Sequence, residues 1–85
     1  MINSQVRKRT KMYCDQFHIT YSQFILSIRL RGRRTPDVID RHADRIMLSI
    51  LKDYHWLGYH AVCDALDLDL SKVNTIRKSN RKRDN

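Results

Sequence analysis

The chain has 85 residues and a net charge of +8, and it contains only two glycines and one proline. This length predicts one domain around one small core, and so large a basic excess predicts a polyanionic partner. The chain has no Glu and no glycine-rich phosphate loop, which argues against an enzyme. Its apolar runs are too short for a membrane-spanning helix or a signal peptide. The apolar residues recur at helical intervals, so we expect an all-α fold.

Two amphipathic helices are predicted before Gly32. The first covers residues 3–17. The second begins after Thr20, because Thr20 and Gln23 have the spacing of a capping box, in which each side chain satisfies the other residue's backbone N–H. The inward-facing side chains are Val6, Thr10, Tyr13 and Phe17 in the first helix, and Tyr21, Phe24, Ile25 and Ile28 in the second.

The clearest helix start in the chain is Thr35-Pro36-Asp37. It combines a hydroxyl for the N-cap, a proline at the first helical position, and an acid beside the positive end of the helix dipole. This third helix is expected to reach about Asp53 and to be the longest element, which makes it the central strut of a bundle.

The outer side of the third helix is predicted to carry Asp40 and Asp44, with Arg45 as a partner at helical spacing. Asp37 and Arg41 can pair in the same way. After this helix, Trp56 is expected to close the core. The whole predicted core is Tyr13, Phe17, Phe24, Ile25, Ile28, Ile46, Ile50, Leu51, Trp56, Val62, Leu66, Val73 and Ile76.

The C-terminal third is predicted to be two helices joined by a short turn. The apolar face of residues 57–66 is interrupted at residues 67–69, where Asp69 can cap a second helix. In that helix Leu70, Val73 and Ile76 face inward. This arrangement is typical of a helix-turn-helix, whose second helix enters the DNA major groove. The domain is expected to end near residue 79 and to be followed by a basic, flexible tail over residues 80–85.

Basic side chains are concentrated in three clusters around a body that is neutral to acidic. Such a collar is a binding footprint, because an ordinary solvated surface would mix both signs of charge. The clusters are Arg7, Lys8, Arg9 and Lys11; Arg29, Arg31, Arg33 and Arg34; and Arg77, Lys78, Arg81, Lys82 and Arg83.

Six short segments form a recognisable series along the chain. They are residues 17–22 (FHITYS), 31–34 (RGRR), 41–42 (RH), 57–59 (LGY), 69–73 (DLSKV) and 76–78 (IRK). Together they resemble the C-terminal DNA-binding domain of the bacterial replication initiator DnaA, a member of the Trp-repressor-like helix-turn-helix superfamily. The resemblance covers residues 6–79 and includes the basic loop and the signature of the second motif helix.

The resemblance implies five helices and a monomer that binds double-stranded DNA. Leu70 and Lys72 stand where the family has base-reading histidine and threonine, so the docking mode transfers but the recognition sequence does not. The chain lacks the initiator's ATPase module. We therefore expect a free-standing regulator of replication or transcription from a phage, plasmid or genomic island, located in the bacterial cytoplasm at the nucleoid.

The second motif helix is expected to read bases, because lysine prefers guanine and asparagine prefers adenine in the major groove. The loop arginines suit phosphates or a narrow minor groove. The candidate base-reading residues are Asp69, Ser71, Lys72, Asn74 and Thr75, and the candidates for the backbone or minor groove are Arg31, Arg33, Arg34, Tyr59, His60, Arg77 and Lys78.

Two alternatives to a DNA-binding regulator remain. One is a protein-interaction module that antagonises a host replication protein, and the other is an RNA-binding protein, for which the aromatic residues are poorly placed because they lie on core faces. Cys14, His18, His60 and Cys63 have the chemistry of zinc ligands, but helical periodicity predicts Cys63 beside the buried face and His60 on the side that faces phosphate. We expect reduced thiols, no metal and no cofactor.

Overall fold

A computed structural model of the chain describes the backbone of residues 2–30 and 35–84, and side chains up to residue 78. Within these residues it has five α-helices and no strand, which confirms the predicted all-α class. None of the described helices is long and apolar enough to cross a membrane. The elements are α1 (Ile2–Gln16), α2 (Tyr21–Leu30), α3 (Asp37–Asp53), a 3-10 turn (His55–Leu57), α4 (Tyr59–Leu66) and α5 (Leu70–Asp84).

The core is one cluster to which all five helices contribute. Helix α3 has 17 residues and packs against each of the other four helices, so its predicted role as the central strut is confirmed. The predicted core residues that are buried are Phe24, Ile28, Ile46, Ile50, Leu51, Val62, Leu66, Val73 and Ile76. Tyr13, Phe17 and Ile25 are partly buried against them.

The prediction that Trp56 closes the core is wrong. Helix α3 ends at Asp53, and Trp56 lies in the 3-10 turn with 64% of its surface exposed. Trp56 would face the core only if α3 continued to this residue. The 3-10 turn gives the side chain a different direction. The ring lies beside Tyr54 instead, with the ring centroids 6.4 Å apart, while Leu57 packs partly against the core.

Helices α2 and α3 both begin where the sequence predicts, but only the predicted N-cap of α2 is confirmed, and that of α3 is wrong. At α2, the Thr20 N–H donates to Gln23 Oε1 at 2.8 Å and the Gln23 N–H donates to Thr20 Oγ1 at 3.0 Å, which is the predicted capping box. At α3, Pro36 occupies the N-cap and no side chain caps the backbone. The Thr35 hydroxyl donates to Asp40 Oδ1 at 2.6 Å instead.

The carboxylates of α3 are also less exposed than predicted. Asp44 is buried, because it follows Ala43 at the edge of the inward face. Asp40 is partly buried, and the same oxygen that accepts the Thr35 hydroxyl accepts the hydroxyl of fully buried Ser27 at 2.6 Å. Asp40 therefore joins the last turns of α2 to the first turn of α3, across residues 31–34. This sequence, the predicted arginine loop, lies outside the described residues.

Removing the Ser27 hydroxyl should destabilise the fold. We expect Ser27→Ala to lower the free energy of unfolding by about 1–3 kcal/mol, because a buried hydrogen bond to a carboxylate is removed. Urea denaturation followed by circular dichroism measures the change. Ser22→Ala, on the exposed side of the same helix, is the matched control and should change stability by less than about 0.5 kcal/mol. Equal effects of the two substitutions would contradict the bridging role of Asp40.

Candidate nucleic-acid interface

The predicted pair of C-terminal helices with a short turn is present as α4 and α5. Helix α4 ends at Leu66, and the next residue, Asp67, has a left-handed backbone with φ of 56°. The N–H of the next residue, Leu68, donates to the Cys63 carbonyl at 2.9 Å, and the Leu68 side chain is buried. The Asp67 N–H also donates to the Asp64 carbonyl at 3.2 Å. The two hydrogen bonds are those of a Schellman C-cap, which ends a helix and sets the direction of the following chain.

Helix α5 begins with the predicted cap. The Ser71 N–H donates to Asp69 Oδ1 at 3.0 Å, so the Asp69 carboxylate satisfies one of the helix's orphan donors. From α2, Arg29 Nη2 donates to the Asp67 carbonyl at 2.9 Å and lies 3.3 Å from Asp67 Oδ2. Arg29 belongs to the second basic cluster, and its contacts connect α2 to the turn between α4 and α5.

The faces of α5 divide largely as the sequence predicts. Val73 and Ile76 are buried, and Leu70 is partly buried. Of the candidate residues on α5, Ser71, Lys72, Thr75 and Lys78 are exposed, while Asn74 and Arg77 are partly buried. Asn74 is thus less accessible than the other candidate base-reading residues.

Asn74 and Arg77 are held by one another and by α4. Arg77 Nη1 donates to Asn74 Oδ1 at 3.1 Å. The Arg77 guanidinium carbon lies 3.9 Å from the centroid of the Tyr59 ring, a close cation–π arrangement. The contact leaves the positive charge intact and restricts the side chain to one orientation. It also joins the start of α4 to the middle of α5, next to exposed His60.

We refer to the candidates of α4, α5 and the turn between them as the α5 surface: Tyr59, His60, Asp69, Ser71, Lys72, Asn74, Thr75, Arg77 and Lys78. Among them, the structure places Arg77 in contact with both Tyr59 and Asn74. Arg31, Arg33 and Arg34 lie outside the described residues, as do the side chains of residues 79–85. The α5 backbone continues through Asp84, so the helix is longer than predicted, and the flexibility of residues 80–85 stays a prediction. The sequence did not indicate the contacts of Arg29 and Arg77.

The candidate zinc ligands do not form a cluster. Cys14 and Cys63 are buried free thiols, whereas His18 and His60 are exposed. Among the described residues, no group of three or more His, Cys or Asp side chains is arranged to hold a metal ion. Burial raises the pKa of Cys14 from 9.0 to about 11, and it also raises the pKa of Cys63. Both therefore remain protonated near neutral pH.

The Cys14 pKa predicts a loss of stability in alkali. Well below pH 9 the thiol is protonated in both the folded and the unfolded state. Between pH 9 and about 11 the unfolded state loses the proton first, so the free energy of unfolding falls as pH rises. The measurement is urea denaturation across this range for the unaltered protein and Cys14→Ala. The variant should start less stable and lose less with pH. Parallel pH profiles would contradict the role of Cys14.

The fold and the α5 surface define a small, basic, all-α protein with exposed polar and cationic side chains along α5. In comparisons with known proteins, no family model, no curated protein and no solved structure matches this chain.

Proposed function

We propose that the protein binds double-stranded DNA with sequence preference, with α5 in the major groove and the flanking cations on the phosphate backbone. The observation that carries this proposal is the division of α5: Val73 and Ile76 anchor it in the core, while Ser71, Lys72 and Thr75 point to solvent. A helix held by one face can present the other, rigidly, to base edges. The net charge of +8 supplies the attraction to phosphate.

The hydrogen bonds within the α5 surface assign different roles to its side chains. Lys72 is exposed, so its ammonium can donate to guanine O6 or N7. The Asn74 amide oxygen accepts from Arg77, so its NH2 group remains to donate to a base acceptor. Arg77, stacked on Tyr59, has N–H groups left for a phosphate. Asp69 Oδ1 already accepts the hydrogen bond that caps α5, so only its other carboxylate oxygen remains for a base donor.

The sequence resemblance to the initiator's DNA-binding domain supports a proposal about the cellular role of the protein. The protein would act as a monomer at origin-like or promoter sequences, either as a regulator of transcription or as a competitor of a resident initiator. A monomer reads a non-palindromic site, because an inverted repeat reflects a two-fold symmetric dimer.

Selection of binding sites from random duplex DNA tests the proposal. We expect enrichment of one short, non-palindromic motif, and scrambled duplexes of the same length should bind more weakly. Absence of any enriched motif would overturn sequence-preferring binding and favour the protein-interaction module. An enriched strict inverted repeat, or a stable dimer in light scattering, would overturn the monomeric docking.

A further inference from the structure

A groove on the surface of α1 is not used by the proposed DNA contacts. It has a volume of about 420 Å³ and lies between α1 and the residue that follows α3, and its lining is Gln5, Lys8, Arg9, Met12 and Tyr54. The four α1 residues follow helical spacing, so they form one continuous flank of the helix. We call this feature the α1 groove. Two residues of the first basic cluster, Lys8 and Arg9, line this groove. Neither is among the residues that we propose to contact DNA.

Exposed apolar side chains lie in the α1 groove and next to it. Met12 is 43% exposed and Trp56 is 64% exposed, and the Trp56 ring lies beside the groove residue Tyr54. Tryptophan, tyrosine, methionine and arginine are the side chains enriched at the centres of protein–protein interfaces. Leaving Met12 and Trp56 in water forgoes the free energy that their burial would contribute.

The α1 groove also has a cationic side that is partly held in place. Arg9 Nε donates to Asp53 Oδ2 at 3.1 Å, and the Tyr13 hydroxyl donates to the same oxygen at 2.6 Å. The Arg9–Asp53 contact is an ion pair that holds Arg9 at the end of α3 and offsets part of its charge, while the remaining guanidinium N–H groups can still donate to another carboxylate. Lys8 is exposed with its ammonium able to meet an incoming carboxylate. The groove is thus lined by cations and apolar side chains together.

The α1 groove shares no residue with the α5 surface. Helix α1 and helix α5 each pack against α2, α3 and α4. The groove lining comes from α1 and Tyr54, whereas the α5 surface is made of residues 59–78, so a substitution in one leaves the side chains of the other unchanged.

We propose that the α1 groove binds an acidic protein segment that inserts apolar side chains over Met12 and Trp56. Carboxylates of the segment complement Lys8 and Arg9, and an amphipathic helix offers both kinds of group at the spacing of a helix flank. The phosphate backbone of duplex DNA would satisfy the cations only. It provides no apolar side chain to cover Met12 and Trp56.

Selection from a library of random peptides displayed on beads, against the full chain, identifies the segment. We expect enriched sequences to combine Asp or Glu with Leu, Phe or Trp. Trp56 is the only tryptophan, so an enriched peptide that lacks tryptophan should shift the protein's emission to shorter wavelengths on binding. Met12→Ser and Lys8→Glu should each weaken the binding of that peptide about tenfold, as truncation of one side chain at the centre of an interface does.

Matched controls are available on the described surface. Leu26→Ser removes a similarly exposed apolar side chain from α2, and Arg41→Glu reverses an exposed charge on α3. Neither should change peptide affinity by more than about twofold. Enrichment of no peptides, enrichment of peptides with acidic residues alone, or equal effects of groove and control variants would overturn the proposal. So would a duplex whose affinity falls with Met12→Ser, because the groove would then bind nucleic acid.

Discussion

Replacing Phe24 by alanine is expected to lower the free energy of unfolding by about 3–5 kcal/mol, enough to unfold so small a domain. Phe24 is completely buried, and truncation leaves a cavity that the surrounding helices fill only in part. Trp56→Ala should instead change stability by less than about 0.5 kcal/mol, although tryptophan is the larger residue, because most of its ring is already in water.

Thermal and urea denaturation followed by circular dichroism compare the two variants without relying on the tryptophan signal. A large loss of stability in Trp56→Ala would mean that the 3-10 turn folds over the core in solution. A small loss in Phe24→Ala would mean that α2 is not part of the cooperative unit. Together the two variants test whether Phe24 belongs to the core and whether the Trp56 side chain beside the α1 groove is exposed to solvent.

The second large effect concerns DNA binding, where two groups of variants should fail in different ways. Lys72→Ala and Asn74→Ala should each cost about 1–3 kcal/mol on the selected site. Non-specific binding should change little for Asn74→Ala and modestly for Lys72→Ala, which removes a charge. Arg33→Ala and Arg34→Ala should weaken selected and scrambled duplexes alike, and should lower the log–log salt slope by about one for each phosphate that the variant no longer neutralises.

Salt titration of each variant on both duplexes is the measurement. Circular dichroism should confirm that Lys72→Ala and Asn74→Ala remain folded, since neither side chain is part of the buried core. If Asn74→Ala and Arg33→Ala reduced affinity equally on both duplexes, α5 would not read bases. The α4–α5 pair would then be scaffold only, and sequence preference would have to come from another part of the chain.

Features that depend on residues close in the chain were predictable. The capping box of Thr20 and Gln23 and the cap at Asp69 join residues two or three positions apart, and their geometry is set by the first turn of a helix. The same holds for the inward face of α5. Helical periodicity places Val73 and Ile76 on one side whatever they pack against.

The predictions that failed assumed that a pattern of neighbouring residues continues, although contacts with residues distant in the chain decide the structure there. Trp56 continues an apolar pattern, but the helix that would orient it ends at Asp53. The Thr35 hydroxyl has the position of a cap, yet the Asp40 carboxylate competes for it and also accepts from Ser27 in another helix. Intrinsic preferences of this kind amount to about 1 kcal/mol, which one buried contact can exceed.

The sequence by itself determined the all-α class, the order of the helices and the polar face of α5, because charge and helical periodicity are properties of neighbouring residues. Only the tertiary structure decided that Arg29 fastens the α4–α5 turn, that Tyr59 supports Arg77, and that an apolar, cationic groove opens on α1. Each of these joins residues far apart in the chain. No spacing rule relates them, and their contacts exist only once the helices have packed around α3.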